Sequence, residues 1–170
     1  MIELIPNLHP LFVHFPIALI SVSAFFHLAA WLLRNHARYA SPCAVLAHAT
    51  LWLGALVALP TVALGWLASN SVNHDEAGHA AMLLHRAWAL VTLAVLLALA
   101  GLDAWRHKVD AIPAWPFVAA VIAAWMLVAS TAWHGGELVY RHGLGVMSLP
   151  QAEGARHAHE QPHKADSHIY

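Results

Sequence analysis

The sequence predicts an all-α fold: an integral membrane four-helix bundle with both termini on the outer side. Hydrophobic residues make up 60% of the 170 residues and charged residues 10%, against roughly 45–50% and about 25% in soluble domains. Four mostly apolar runs reach the length of about 20 residues that a membrane-crossing helix needs. This composition excludes a disordered chain, a nucleic-acid binder and an ordinary cytosolic enzyme, and makes the lipid bilayer the expected partner.

The four runs predict helices at about 10–33, 43–68, 80–102 and 113–134 within a transmembrane domain of residues 1–149. Pro113 and Pro116 open the fourth run and Gly135-Gly136 closes it, the usual asymmetry of a helix. The first run follows Glu3 without a preceding Lys or Arg and is too long for a signal h-region, so we expect a membrane span. Residues 150–170 have almost no large apolar side chains, and we expect a flexible, His-rich tail.

The charged loops and the tryptophans predict the orientation. Arg34, Arg38, Arg106 and Lys108 fall in the two loops opposite the termini, and the positive-inside rule makes those loops cytoplasmic. Both termini then lie outside, which is periplasmic in a prokaryotic cell. The tryptophans form two interfacial belts, one of Trp31, Trp105 and Trp115, the other of Trp66, Trp88 and Trp133.

Histidine is abundant, with 15 residues against eight Lys and Arg. At a rise of about 1.5 Å per residue, the histidines inside the spans form two tiers. His14 and His85 lie about one turn inside the outer end of the bundle, and His134 ends the fourth helix on that side. His27 and His48 lie at matching depths in the cytoplasmic half. Ionisable residues at membrane depth usually face the bundle interior and mark function.

Paired imidazoles from facing helices are what the iron of a b-type haem needs, with an apolar bundle around the porphyrin. We therefore expect His14 and His85 to be axial ligands of haem b. A second haem on His27 and His48 is the extended form of this hypothesis, although His14 and His27 do not share a helix face. The single cysteine, Cys43, excludes a CxxCH attachment, so the haem would be bound without covalent bonds.

Other polar residues at the outer surface complete the predicted site. Arg86 and Arg141 are candidates to pair with haem propionates through charge-assisted hydrogen bonds. His9 and His142 are expected around the ligands, and His134 is a further candidate ligand of the outer tier.

Two alternatives remain open on the residues alone. In the first, histidines outside the spans collect copper, nickel or zinc, which favour imidazole. These histidines are His9, His74, His79, His142, His157, His159, His163 and His168. In the second, the chain is a structural subunit without cofactor, and its membrane histidines make hydrogen-bonded contacts between helices.

Two motifs carry a resemblance to a known family. The stretch HPLFVHFPIAL begins at His9, and GGELVYRHGLGV begins at Gly135. With His85 between them, they resemble the patterns HPxxVHFPIAL and GGxLVYxHGxGV of an uncharacterised prokaryotic family of four-helix membrane proteins. The likeness covers about residues 8–147. The matched positions are His9, Pro10, Val13, His14, Phe15, Pro16, His85, Gly135, Gly136, Leu138, Val139, Tyr140, His142, Gly143 and Gly145.

Some members of that family are joined to Rieske iron–sulfur or cytochrome c modules, so the resemblance implies a place in electron transfer. His27, His48 and His134 are not part of its pattern. The resulting hypothesis is a haem b protein of the prokaryotic inner membrane, an electron-transfer component more than a stand-alone enzyme. It would pass electrons between a periplasmic redox protein and the quinone pool or another membrane redox subunit.

Overall fold

The computed structural model describes residues 8–71, 76–106 and 111–144, and almost all of these residues are helical. The elements are α1 (His9–Phe12), α2 (His14–Leu32), α3 (Ala37–Ser71), α4 (Glu76–Arg106) and α5 (Trp115–Tyr140). Helices α1 and α2 together form one span, and α3, α4 and α5 form the others. All four spans are long and apolar enough to cross a membrane, which confirms the predicted all-α membrane fold.

The four long helices form an antiparallel ring in which α5 returns to α2. Ser23 of α2 donates a hydrogen bond to the carbonyl of Ala47 in α3, at 3.0 Å. The indole Nε1–H of Trp125 in α5 donates to the hydroxyl of Ser21 in α2, also at 3.0 Å. These polar contacts join helices where the surroundings offer few other partners, as is common between membrane helices.

The bundle has two ends, which we name after one tryptophan each. The Trp31 end carries Trp31 and Trp115, whose ring centroids are 4.7 Å apart. The Trp66 end carries Trp66, which stacks with the guanidinium of Arg86 at 3.9 Å, and Trp88, whose ring is 5.6 Å from that of His134. Trp31 and Trp115 of one predicted belt are therefore in contact, and Trp66 and Trp88 of the other belt lie at the opposite end of the bundle.

The interior is packed with small and branched apolar side chains. The buried core cluster is Ile20, Ala24, Leu51, Ala55, Ala58, Leu96, Val121, Ala124 and Val128. Helices α2 and α3 approach closely at Gly54, where a Cβ atom would lie 2.7 Å from Cδ1 of Ile20. Small residues permit this approach, which favours association of helices in lipid. Large apolar side chains such as Phe25, Leu56 and Leu67 are exposed on the outside, where the bilayer would surround them.

The first span is interrupted at Val13, between α1 and α2. Pro16 has no backbone N–H and its ring clashes with the carbonyl four residues earlier, which breaks the helical hydrogen-bond ladder there. His9 opens α1 instead of lying in a loop before the span. His9 therefore belongs to the first span, which covers His9–Leu32.

Several helix ends differ from the sequence-based boundaries, and α4 is longer by four residues at each end than the predicted 80–102. Helix α3 begins at Ala37, before the predicted start at 43, and Ala40 in its first turn is fully buried. Helix α5 continues through Gly135-Gly136 to Tyr140. A glycine costs a helix only about 1 kcal/mol relative to alanine, and burial or pairing of the flanking residues offsets this. Gly143, with φ 61°, ends the helix in the left-handed conformation that suits glycine.

Candidate functional site

A cavity of about 650 Å³ opens between the helices toward the Trp66 end. Its walls are mostly apolar and come from all four spans, for example Ile17, Ala58, Leu93 and Val128. Cofactor and ligand sites commonly have volumes of about 300–1,000 Å³, apolar walls and a few directed polar groups. The cavity therefore has the size and character of a site for a large, mainly apolar ligand.

His9 enters this cavity from α1 and is fixed by α3. Its Nδ1–H donates to the carbonyl oxygen of Thr61 at 3.0 Å. Its ring lies against Gly65, where a Cβ atom would be 2.9 Å from Cε1 of the imidazole. The ring therefore occupies space that only a glycine at position 65 leaves free.

His85 enters the same cavity from α4 and is fixed by α5 in the same way. Its Nδ1–H donates to the carbonyl oxygen of Thr131 at 3.1 Å. A Cβ atom on Gly135 would lie 3.1 Å from Cε1 of the ring. The hydroxyls of Thr131 and Thr92 are 2.8 Å apart, which ties the same stretch of α5 to α4.

The two histidines thus share one kind of seat, a Thr-x-x-x-Gly sequence on the following span. We call Thr61 with Gly65 the first seat, and Thr131 with Gly135 the second. Residues four apart lie on the same helix face, so the glycine makes room for a ring beside the threonine carbonyl. We call the seated histidines, His9 and His85, the cavity pair.

The seats determine which imidazole nitrogen is available. A carbonyl oxygen only accepts, so Nδ1 carries the hydrogen in both rings and Nε2 of the neutral imidazole keeps a lone pair. Within the described residues, neither Nε2 makes a hydrogen bond. Metal-ligating histidines are commonly held this way, with the other ring nitrogen donating to a backbone carbonyl. The cavity pair therefore has two imidazoles that are fixed by their Nδ1–H groups, as metal-ligating histidines commonly are.

The rings of the cavity pair have centroids 6.4 Å apart and planes 69° apart. Two imidazoles on opposite sides of one metal, with bonds of about 2 Å, have centroids roughly 6 Å apart. The observed separation is close to that value. The two side chains thus lie at a distance that one metal centre between them would require.

The other predicted residues of the outer tier lie around the cavity pair. His14 is exposed and lines the edge of the cavity, and the ring contact of His85 is with His9. Arg86 lines the cavity beside Trp66. The pairing of His14 with His85 stays a prediction, while the seats favour His9 as the partner.

Three further candidates lie near the end of α5. Nδ1 of His134 is 3.2 Å from a carboxylate oxygen of Glu137. Arg141 is also 3.2 Å from that carboxylate, with its side chain largely exposed. His142 is half-buried just after the helix. The structure thus gives His134 and Arg141 a common acidic partner, Glu137, one turn from the second seat.

Toward the Trp31 end, the structure brings His27 and His48 together, with ring centroids 5.6 Å apart. Asp103 of α4 joins them, its carboxylate 2.8 Å from Nδ1 of His48. We call His27, His48 and Asp103 the buried triad, since all three are buried. The matched depths of the two histidines indicated their proximity, but the sequence reasoning missed Asp103.

Asp103 was missed because it lies one residue beyond the predicted end of the third helix. The only signal was a single carboxylate close behind an apolar run. The two seats were also missed, although the repeated Thr-x-x-x-Gly spacing was visible in the second and fourth runs. Whether a Thr-x-x-x-Gly sequence holds a histidine depends on which helix packs against it, and the spacing alone does not give that helix.

His79 is exposed in the first turn of α4. The remaining predicted metal-collecting histidines and the end of the second motif lie outside the described residues. These positions are His74, Gly145, His157, His159, His163 and His168.

Comparison with known proteins gives one family. The family model described as "Predicted membrane protein (DUF2231)" matches residues 5–148, so the chain belongs to this family. This agrees with the resemblance of the two motifs to an uncharacterised membrane family. Searches of curated proteins and of solved structures found no match to the chain.

Proposed function

We propose that the chain, as a member of this family of predicted membrane proteins, binds one haem b between His9 and His85 and transfers electrons. The observation that carries the proposal is the pair of identical seats. Each seat holds an imidazole by its Nδ1–H, and both rings line one shared, mostly apolar cavity. Within the described residues, Nε2 of neither ring makes a hydrogen bond. Bis-histidine ligation of haem needs two such nitrogens.

The surroundings of the cavity pair support haem over a bare ion. A cavity of about 650 Å³ far exceeds the space that a single metal ion needs, and its apolar walls suit a porphyrin. Arg86 lines the cavity and is a donor for a haem propionate. In this proposal His9 would hold the haem together with His85, and His14, at the cavity edge, would be a neighbour of the haem.

A haem held by both His9 and His85 would supply one-electron transfer and would have no coordination position free for a substrate. The proposed role is therefore that of an electron carrier. The partners would be a periplasmic redox protein on one side and the quinone pool or another membrane redox subunit on the other.

The proposed location is the inner membrane of a prokaryote, with both termini and the Trp66 end toward the periplasm. The support is the distribution of Arg and Lys, which favours the Trp31 end as cytoplasmic. A cofactor near the Trp66 end would then lie within reach of a periplasmic electron donor or acceptor.

The test is the haem content of the full-length protein, purified in detergent from a host supplied with a haem precursor. A pyridine haemochrome assay should give about one haem b per chain with a low-spin spectrum. His9→Ala and His85→Ala should each lower the bound haem by about tenfold or more, or convert it to a high-spin form.

His14→Ala is the matched control, because His14 lies five residues from His9 in the same span and has no seat. It should keep the haem and the low-spin spectrum. Loss of haem in His14→Ala with full retention in His9→Ala would contradict the proposal. A wild-type protein that stays colourless after titration with haemin would contradict it as well.

A further inference from the structure

The buried triad is a second group of potential ligands, and it lies away from the cavity toward the Trp31 end. Its members come from three different helices: His27 from α2, His48 from α3 and Asp103 from α4. Each is at most about 6% exposed. A charged or polar cluster at this depth is costly unless its groups are paired or bind an ion.

His27 has one ring nitrogen in use and one without a partner. Its Nδ1–H donates to the carbonyl oxygen of Ser23 at 2.9 Å. The hydroxyl of Ser23 is itself a donor to the carbonyl of Ala47. Its Nε2 is fully buried and has no hydrogen-bond partner among the described residues. Buried polar atoms are nearly always paired, so each unpaired one requires an explanation.

His48 and Asp103 complete a ligand set beside His27. Nδ1 of His48 is 2.8 Å from Oδ2 of Asp103, and Nε2 of His48 is 3.2 Å from the carbonyl oxygen of Ala111. The carbonyl of Ala111 only accepts, so Nε2–H of His48 donates to it and Nδ1 is the potential ligand atom, beside the negative carboxylate of Asp103. A ring held through its other nitrogen by a backbone carbonyl is typical of histidine–metal sites.

We propose that the buried triad binds one divalent transition metal ion, with zinc as the best match. Two imidazoles and one carboxylate are a common ligand set for zinc. One potential ligand atom from each of the three residues lies within 4.8 Å of the other two. Ligand atoms on one tetrahedral zinc ion are about 3.4 Å apart, because each bond is about 2.0–2.1 Å long. Side-chain movements of about 1.5 Å or less would therefore bring the three ligand atoms to that spacing.

The packing around His27 favours an ion over a second haem. The rings of His48 and Phe117 both have centroids 5.6 Å from that of His27, and His27 is 0% exposed. A bare ion fits between the ligand atoms, whereas a porphyrin would have to displace Phe117. A bound ion would also join α2, α3 and α4 at one depth, so it would fasten the bundle near the Trp31 end.

The test uses the full-length chain with alanine at His157, His159, His163 and His168, so that these positions contribute no metal binding. The purified protein is stripped with a chelator, dialysed against zinc and analysed for metal content. About one zinc per chain is expected at the triad. X-ray absorption at the zinc edge should show imidazole and carboxylate ligands at about 2.0–2.1 Å.

His27→Ala should remove this zinc, and Asp103→Asn, which preserves the shape of the side chain, should weaken zinc binding by at least about tenfold. His85→Ala is the control, because it changes the cavity pair and leaves the triad intact. If His27→Ala fails to insert or elutes as an aggregate, Asp103→Asn decides. Zinc retained at full affinity in Asp103→Asn, or no zinc in the starting protein, would overturn the proposal.

The outcome is independent of the proposed haem. Zinc lost in Asp103→Asn and kept in His85→Ala supports the triad even if the protein proves to bind no haem. Haem that depends on His9 and His85, with no zinc bound, would overturn the triad site and leave the proposed function standing.

Discussion

Gly65→Ala tests the first seat with a single added methyl group. Its Cβ would lie 2.9 Å from Cε1 and 3.0 Å from Nδ1 of His9, well inside van der Waals contact. The ring cannot retreat without lengthening its 3.0 Å hydrogen bond to the carbonyl of Thr61. His9 must therefore move, and its Nε2 loses the orientation that the proposed haem ligation needs.

The magnitude follows from the cost of adding a methyl group to a well-packed site, about 1–3 kcal/mol. With 1.4 kcal/mol for each factor of ten, haem should bind roughly 5–150-fold more weakly. The helix itself should not suffer, because alanine is favoured over glycine by about 1 kcal/mol in a helix interior. The loss should therefore appear in haem affinity and not in insertion or folding.

The assay is a haemin titration of the detergent-purified apoprotein, followed by the Soret band. Gly101→Ala is the matched control, since a Cβ atom on Gly101 meets nothing within 4 Å. It should bind haem like the wild type. A Gly65→Ala protein with wild-type affinity and an unchanged low-spin spectrum would refute the role of the first seat.

Two further predictions concern the second seat and the topology. Gly135→Ala should displace the ring of His85 and weaken haem binding. Gly136→Ala should not, because its Cβ would meet only Tyr140, at 4.0 Å. Equal effects of the two substitutions on haem titration would contradict the second seat. Reporter fusions after Arg38 and Lys108 should report a cytoplasmic location and a C-terminal fusion a periplasmic one, because of the positive-inside rule. The reverse pattern would place the Trp66 end in the cytoplasm and exclude a periplasmic electron donor.

The fold was largely predictable because the length of the apolar runs is set by the bilayer. The helix boundaries were less predictable. Gly135-Gly136 was expected to end the fourth helix, but Glu137 pairs with both His134 and Arg141 and the helix continues. Such pairing is a property of the folded chain, and the glycine pattern does not contain it.

The candidate site was predictable only in part. Depth along the helices correctly suggested that His27 and His48 meet, because depth depends on residue number alone. Depth does not give the direction in which a side chain points around the helix axis. His9 and His14 are five residues apart, about 140° around an ideal helix, and the interruption at Val13 changes their directions further. The choice between them required the positions of Thr61 and Gly65 on the neighbouring helix.

The first and second seats make the two halves of the chain similar to each other. In each half of the chain, a histidine near the start of one span lies on a Thr-x-x-x-Gly of the next span. The antiparallel ring then brings the two histidine rings together, with centroids 6.4 Å apart. The two Thr-x-x-x-Gly sequences form one site because the two halves of the chain pack against each other.

Electron paramagnetic resonance of the oxidised, full-length protein with haem bound tests most directly whether His9 and His85 hold one haem. If His9 and His85 hold the haem with their ring planes near the present 69°, the signal should be that of low-spin ferric iron with high anisotropy, which differs from the rhombic signal of parallel rings. We expect this signal in the wild type and in His14→Ala, and its loss in His9→Ala and in His85→Ala. A low-spin signal that survives unchanged in His9→Ala or in His85→Ala, or the absence of any haem signal in the wild type, would contradict it.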